Sequence, residues 1–417
     1  MSIEKISYLI LLLLPLYLIK LPISDIGSIN LLDVFLLFHL GVFIILIFFK
    51  KIKLVEIKGF FVNNFLAIFG LFLIILGLIL SFLENQNPSN WADQLGIIKS
   101  FYLLPILFSS ISAYLVKIEI IKKRRLISTV FFSSCLVAFI GFFYLIFNKL
   151  TFDSRLSAIF NSPNYLAMYL AVGMIIIWWI ILFSQKINKN KKTVFQILFL
   201  LFFILLIFTK SAGAVTAVLI CLGLLYLTKK SLIEKSEKIL LLCLNFFIAL
   251  NVFFMLLFCF ILPGTLKKMS YSAFENRGSL DSRLVIYQVN GKILQDHFFW
   301  GIGAGNFQEV YLNYQQNFPP YPQWAVPHPH NLFLSFWLEA GASGLIGLIL
   351  IFFQLSRNIK SSRLKKIDFI PSILIIYFLI HGLIDSTFWK NDLAIIFWLM
   401  VFLSFKFKNH KHSYFKK

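Results

Sequence analysis

Residues 328–354 read HPHNLFLSFWLEAGASGLIGLILIFFQ. From Leu332 onward the run is apolar apart from one carboxylate, Glu339, and it has the roughly 20 residues that a helix needs to cross a hydrocarbon core. Working outward, eleven further runs of this kind are bounded by charge, Pro or Asn clusters. The full set covers 6–22, 31–49, 60–83, 96–116, 126–147, 163–183, 194–209, 212–228, 239–262, 331–354, 369–385 and 391–406. The seventh and eighth runs are short, and a re-entrant pair is the alternative for them. Of 417 residues, 59% are hydrophobic and 14% charged, too few polar side chains to cover a soluble body of this size. A soluble enzyme is excluded. The expected fold is an all-α polytopic integral membrane protein of about 12 transmembrane helices. Helices one to nine occupy 1–262, a large outer loop 263–330, and the last three helices with a basic tail 331–417.

The formal charge of +21 invites a nucleic-acid reading, but the basic residues are dispersed between spans and no nucleic-acid partner is expected. With the N-terminus inside, the inner connections hold 28 of the 39 cations and six of the 18 acids, as the positive-inside rule requires. The outer face then carries few cations, and each one there calls for a reason. The run 7–19 after Lys5 imitates a signal segment, but lacks a small-residue cleavage site and reads as an uncleaved first span. All four cysteines, Cys135, Cys221, Cys243 and Cys259, sit in apolar runs as packing residues.

The loop 263–329 is long, aromatic and rich in Gly, Pro and Asn, which reads as a folded lid or acceptor platform. Inside it, a helix is expected from Ser279 or Asp281, with Leu284, Val285, Val289 and Ile293 as its apolar stripe and Arg283 in its first turn. Arg283 is either an anion contact or a snorkelling interfacial arginine. Arg155, ahead of the turn Asn161-Ser162-Pro163-Asn164, and Lys210, between the seventh and eighth spans, are further outer cations. Together the three suggest a polyanionic ligand; the bland alternative is pairing with acids such as Asp153 and Asp281.

His330 stands where the loop re-enters the membrane, and a neutral imidazole there is suited to take a proton from a hydroxyl. His328 lies one step away. Zinc is a weak reading of His328 and His330, because no third ligand at useful spacing is evident beyond His297 or Glu309, so no metal or other cofactor is expected. Glu339 is a functional candidate as an intramembrane carboxylate, with an outer arginine as its expected partner. Gly341, Gly344 and Gly347 suit close helix packing, and Gly301-Ile302-Gly303-Ala304-Gly305-Asn306 reads as a turn.

His330-Asn331, nine residues, Gly341 and then Gly344 resemble the His-Asn-x9-Gly-x-x-Gly signature of the bacterial O-antigen ligase and polymerase superfamily. Arg283 with the stretch 295–307, and Arg155 with the turn 161–164, are similar to further segments of that family. The sequence departs from it at the start of the eighth span. There Ser211-Ala212-Gly213-Ala214 stands where the family commonly carries Ser-Arg-Gly-Ala, and Lys210 is the nearby charge. The resemblance implies a membrane glycosyltransferase in the bacterial inner membrane, with cytoplasmic termini and a periplasmic active site. It would move an undecaprenyl-pyrophosphate-linked glycan to a sugar hydroxyl of lipid A-core or of another glycan, inverting and metal-independent. His330 and Arg283 would be catalytic; Arg155, Lys210, His328, Asn331 and Glu339 would bind substrate, with membrane lipid around them. A polymerase joining repeat units is the alternative, and a secondary anion transporter is the competitor from another class.

Overall fold

The computed structural model describes residues 2–24, 27–52, 57–85, 91–183, 188–230, 233–257, 279–318, 326–360 and 368–406. Helix α1 (Ile3–Leu12) is followed by a 3-10 turn (Leu14–Leu18) and a hairpin of β1 (Lys20–Ser24) and β2 (Gly27–Asn30). Then come α2 (Leu31–Phe48), α3 (Ile57–Asn63), α4 (Phe65–Glu84), α5 (Trp91–Lys117), α6 (Lys123–Ile146) and α7 (Pro163–Phe183). They are followed by α8 (Lys189–Phe208), α9 (Ala212–Lys230), α10 (Ile233–Leu256), α11 (Ser279–Asp296) and α12 (Phe307–Gln315). Last are α13 (Leu332–Lys360), α14 (Phe369–His381) and α15 (Asn391–Leu403). Among the described residues nine helices are long and apolar enough to cross a membrane, namely α2, α4 to α10 and α13. The all-α polytopic class holds, and every expected span has a helix in its place.

Four spans differ in form. The first is cut at Leu12, because Pro15 has no N–H to continue an α-helical ladder and the chain tightens into the 3-10 turn. The seventh begins earlier than its apolar run: Asn188 caps α8 by accepting the Lys191 N–H at 3.0 Å, and the first turn takes up Lys189, Lys191 and Lys192. With that turn α8 has 20 residues, and α9 has 19, so each is long and apolar enough to cross a membrane.

The last two helices have 13 residues each, about 20 Å against a hydrocarbon core of about 30 Å. All of their residues are buried. Enclosed by longer helices, they need not reach the bilayer surfaces, and the turn joining them, residues 382–390, is set down among its neighbours.

Helices α4 and α13 make the most extensive pairing. Gly70 lies against Gly347, and Gly77 against Ala340 and Ser343, so closely that a Cβ at either position of α4 would meet backbone. Gly347 thus plays the packing role expected of it, whereas Gly344 faces Ala340 and Phe336 of its own helix. Gly341 does something else: its φ of 67° kinks α13 and opens a seat for the turn 297–306. There Ala342 N–H donates to Phe299 O at 3.0 Å and Ile302 N–H to Leu338 O at 2.6 Å. The glycine-rich stretch is therefore a turn, as read, and it ties the connection between α11 and α12 to α13. The remainder of the large loop, 263–278 and 319–325, lies outside the described residues.

Candidate active site

Where α13 starts, Asn331 is its cap. Its Oδ1 accepts the N–H groups of Phe333 (2.9 Å) and Leu334 (3.0 Å), which satisfies two donors that would otherwise face an apolar end. Its Nδ2 donates to Leu383 O at 3.2 Å, and Leu332 N–H donates to Gly382 O at 2.8 Å. The beginning of α13 is thereby tied to the turn 382–390. Asn331, expected to touch substrate, has its side chain committed to this cap and tie.

Helix α11 holds the same two segments. Tyr287 donates its hydroxyl to His330 O (2.8 Å) and Leu383 O (3.0 Å), and Asn290 Nδ2 donates to Pro329 O (3.1 Å). His330 has a φ of 55°, in the left-handed region that an imidazole-bearing residue enters only at a cost. These bonds to its own and the preceding carbonyl, with the cap behind it, hold it there.

Asp385 lies at the centre of the resulting cluster, 1% exposed. Its Oδ1 faces His330 Nδ1 at 3.2 Å and accepts from Ser386 N–H at 2.9 Å. Its Oδ2 accepts from Asn164 Nδ2 at 3.3 Å and lies 3.9 Å from the Arg283 guanidinium, whose Nε donates to Ile384 O at 2.7 Å. Asn164 in turn accepts from Arg155 Nη2 at 2.6 Å, while Arg155 Nε donates to Thr209 O at 2.7 Å. Four segments distant in sequence meet at one carboxylate. Burial by itself would raise the Asp385 carboxyl, but the His330 imidazole and its hydrogen bond, with His328 and His381 behind, hold it well below the usual carboxylate range.

His328 is 4% exposed, its ring 4.3 Å from that of His330. Burial, with the nearby His330 second, pushes it down to about 3. It is thus neutral near pH 7, and its 3.8 Å approach to Asp385 is no ion pair.

Two expected members stand apart. Lys210 is exposed at the margin, its Nζ donating to Asp153 O at 3.2 Å. Glu339 is buried within α13 and accepts from Tyr102 and Trp389 instead of from an outer arginine. The arginines are engaged at the end of the bundle, whereas Glu339 sits two helical turns inside α13.

Asp385, Tyr287, Asn290 and Asn164 were not singled out from the sequence as site residues. The signal for Asp385 was its setting, an acid bracketed by His381 and by Ser386-Thr387 at the end of an apolar run. It also supplies the third ligand atom that the zinc reading lacked: His328, His330 and Asp385 offer three within 4.8 Å of one another. The donor set does not favour a cation, because Asp385 Oδ2 is already shared between Asn164 and Arg283, and a dication would sit beside a guanidinium.

With Asp385 ionised, His330 Nδ1 donates to it, and in the neutral imidazole the lone pair is then on Nε2, across the ring. A base oriented by a carboxylate, flanked by two guanidinium groups, can deprotonate a hydroxyl next to a phosphorylated leaving group.

Comparison with known proteins finds two similarities. Residues 197–352, which include Lys210, Arg283, His328, His330 and Glu339, match the O-antigen ligase family. Over 110 residues the chain is 29% identical to the O-antigen ligase of Salmonella typhimurium strain LT2, the aligned part being 24% of this chain and 27% of that protein. The match spans about a quarter of the curated relative's length. The resemblance to the O-antigen ligase and polymerase superfamily drawn from the motifs is borne out by both.

Proposed function

We propose that the cluster around Asp385 transfers a glycan from an undecaprenyl-pyrophosphate carrier to a sugar hydroxyl, at the periplasmic face of the bacterial inner membrane. The observation that carries this reading is the carboxylate–imidazole pair, His330 Nδ1 to Asp385 Oδ1 at 3.2 Å, next to Arg283 on the other carboxylate oxygen. His330 Nε2 takes the proton of the acceptor hydroxyl as its oxygen attacks the anomeric carbon of the donor. The bond from that carbon to the pyrophosphate oxygen breaks, and the electron pair stays with the carrier. Arg283 and Arg155, with Lys210 at the margin, meet the charge that develops there. One displacement on one face inverts the anomeric centre. A pyrophosphate is already a good leaving group and guanidinium groups match its oxygens in pairs, so the reaction proceeds without a metal ion. The family match supports lipid-linked glycan transfer in general, and both ligation to lipid A-core and joining of repeat units use this chemistry. The buried Glu339, held by Tyr102 and Trp389, argues against the ion relay that a transporter would need.

The test is transfer by purified protein from a polyprenyl-pyrophosphate glycan. His330→Ala and Arg283→Ala abolish it while expression and membrane insertion persist, and EDTA leaves the wild type active. Loss of activity in EDTA with rescue by Mg²⁺ or Mn²⁺ overturns the metal-free mechanism. Long polymer left on the carrier in a deletion strain identifies a ligase, and single repeats identify a polymerase.

A further inference from the structure

Lys390 closes the turn 382–390 beside the site. Its Nζ lies over the Tyr165 ring, 4.4 Å from the centroid, and 6.0 Å from the Trp389 ring. Among the described residues no oxygen acceptor is found for this ammonium; Asp392 attracts it only from beyond ion-pair distance, and Lys20 of β1 is near enough to repel it. Burial accordingly lowers its proton affinity. Next to it is His328, whose ring packs 5.6 Å from Trp389 and 6.1 Å from Tyr165, while its buried Nδ1, without a hydrogen bond, lies 3.8 Å from Asp385 Oδ1. A half-buried cation resting on aromatic faces without an oxygen acceptor is unfavourable unless an anion completes it.

The two oxygens of Asp385 divide the cluster. Oδ2 faces Asn164 and Arg283, and through Asn164 also Arg155. Oδ1 faces His330 and His328, beyond which lie Trp389 and Lys390. If the guanidinium side takes the carrier pyrophosphate, the hydroxyl that gives its proton to His330 approaches from the lysine side.

We propose that Lys390 and Lys20, with Tyr165 and His328, form a second anion subsite that holds a phosphate or carboxylate carried by the acceptor glycan. The subsite rests on the glycan-transfer reading above and names the class of acceptor it selects, an acidic one. The lysines act as compact point charges and do not require the planar geometry of a pyrophosphate.

The test is steady-state transfer by purified full-length protein, using acceptor lipid from a strain deleted for this gene. Lys390→Gln raises the acceptor KM about tenfold, with kcat and donor KM little changed, and Lys390→Arg restores most of the loss. Lys20→Gln, at an exposed strand position, raises the acceptor KM about threefold and serves if Lys390→Gln does not fold. Acceptor stripped of phosphate with hydrofluoric acid, or reduced at its carboxyls, shows which anion is read: the treatment that removes it also removes the difference between wild type and Lys390→Gln. An unchanged acceptor KM, a rise in donor KM instead, or a difference that survives both treatments overturns the subsite. Retained transfer in Arg283→Ala and His330→Ala would overturn the glycan-transfer reading itself, whatever Lys390 does.

Discussion

Asp385 touches or neighbours the groups to which the chemistry is assigned, yet as a carboxylate with both oxygens engaged it acts through them. Asp385→Asn keeps the volume and removes the charge that fixes His330 with its lone pair outward, so kcat falls about 100-fold or more and the pH–rate profile changes shape. A uniform loss of folded protein with an unchanged profile would mark a merely structural role. His328 gives a stability prediction. Its folded imidazole, faced by His330, Asp385, Lys390 and Arg283, is held down at about 3, whereas the unfolded one takes a proton near pH 6.5. Below about 6.5 the unfolded state therefore binds a proton that the folded state refuses, and stability falls with pH from there toward about 3. Melting of the detergent-purified wild type between pH 7.5 and 5 shows this decline, and His328→Gln shows a shallower one; parallel slopes contradict the assignment. Asp385 has the same sign at lower pH: its contribution is complete above the ordinary carboxylate value of about 4 and is lost below it.

The secondary elements explain why residues so far apart can meet. Helix α11 places Tyr287 on two carbonyls, one on each side of the site, and Tyr287→Phe takes this donor from both, leaving Leu383 O with Asn331 Nδ2 alone. Transfer then falls through kcat more than through KM, because His330 loses its hold, and insertion into the membrane is unaffected. Asn331→Ala removes the α13 cap at a cost of about 1 kcal/mol, read as a lower melting temperature, and Asn331→Asp restores most of it. The apolar runs made these helices legible in advance, including the start of α11 near Ser279 and the turn at 301–306. The tertiary partners were less so. Asp385 fell inside an expected span, 369–385, because its helix stops at His381, and its 55-residue separation from His330 leaves no mark in a linear pattern. Asn331 was expected at the substrate, although its place before an apolar run is the signature of the cap it forms. Glu339 was given an arginine because an intramembrane acid calls for a donor; Tyr102 of α5 and Trp389 supply it instead.

At the scale of the molecule, short buried helices α14 and α15 hold a polar turn down among longer neighbours, and Arg155, Arg283 and Lys390 gather around it. The charge count predicts that this end faces outward. In a variant with its four cysteines replaced, Lys210→Cys is labelled by an impermeant thiol reagent from the periplasmic side, and labelling only from the cytosol contradicts the orientation. Arg155, Arg283, His328 and His330, expected together from the charge pattern, are brought together around Asp385. Lys210 was expected there too and lies at its edge. The central claim is that the segments converging on Asp385 work as a unit, and a double-mutant cycle in the transfer assay measures it. His330→Ala and Asp385→Asn together should lose no more kcat than His330→Ala alone. Losses that multiply, or an Asp385→Asn enzyme as fast as wild type, would contradict it.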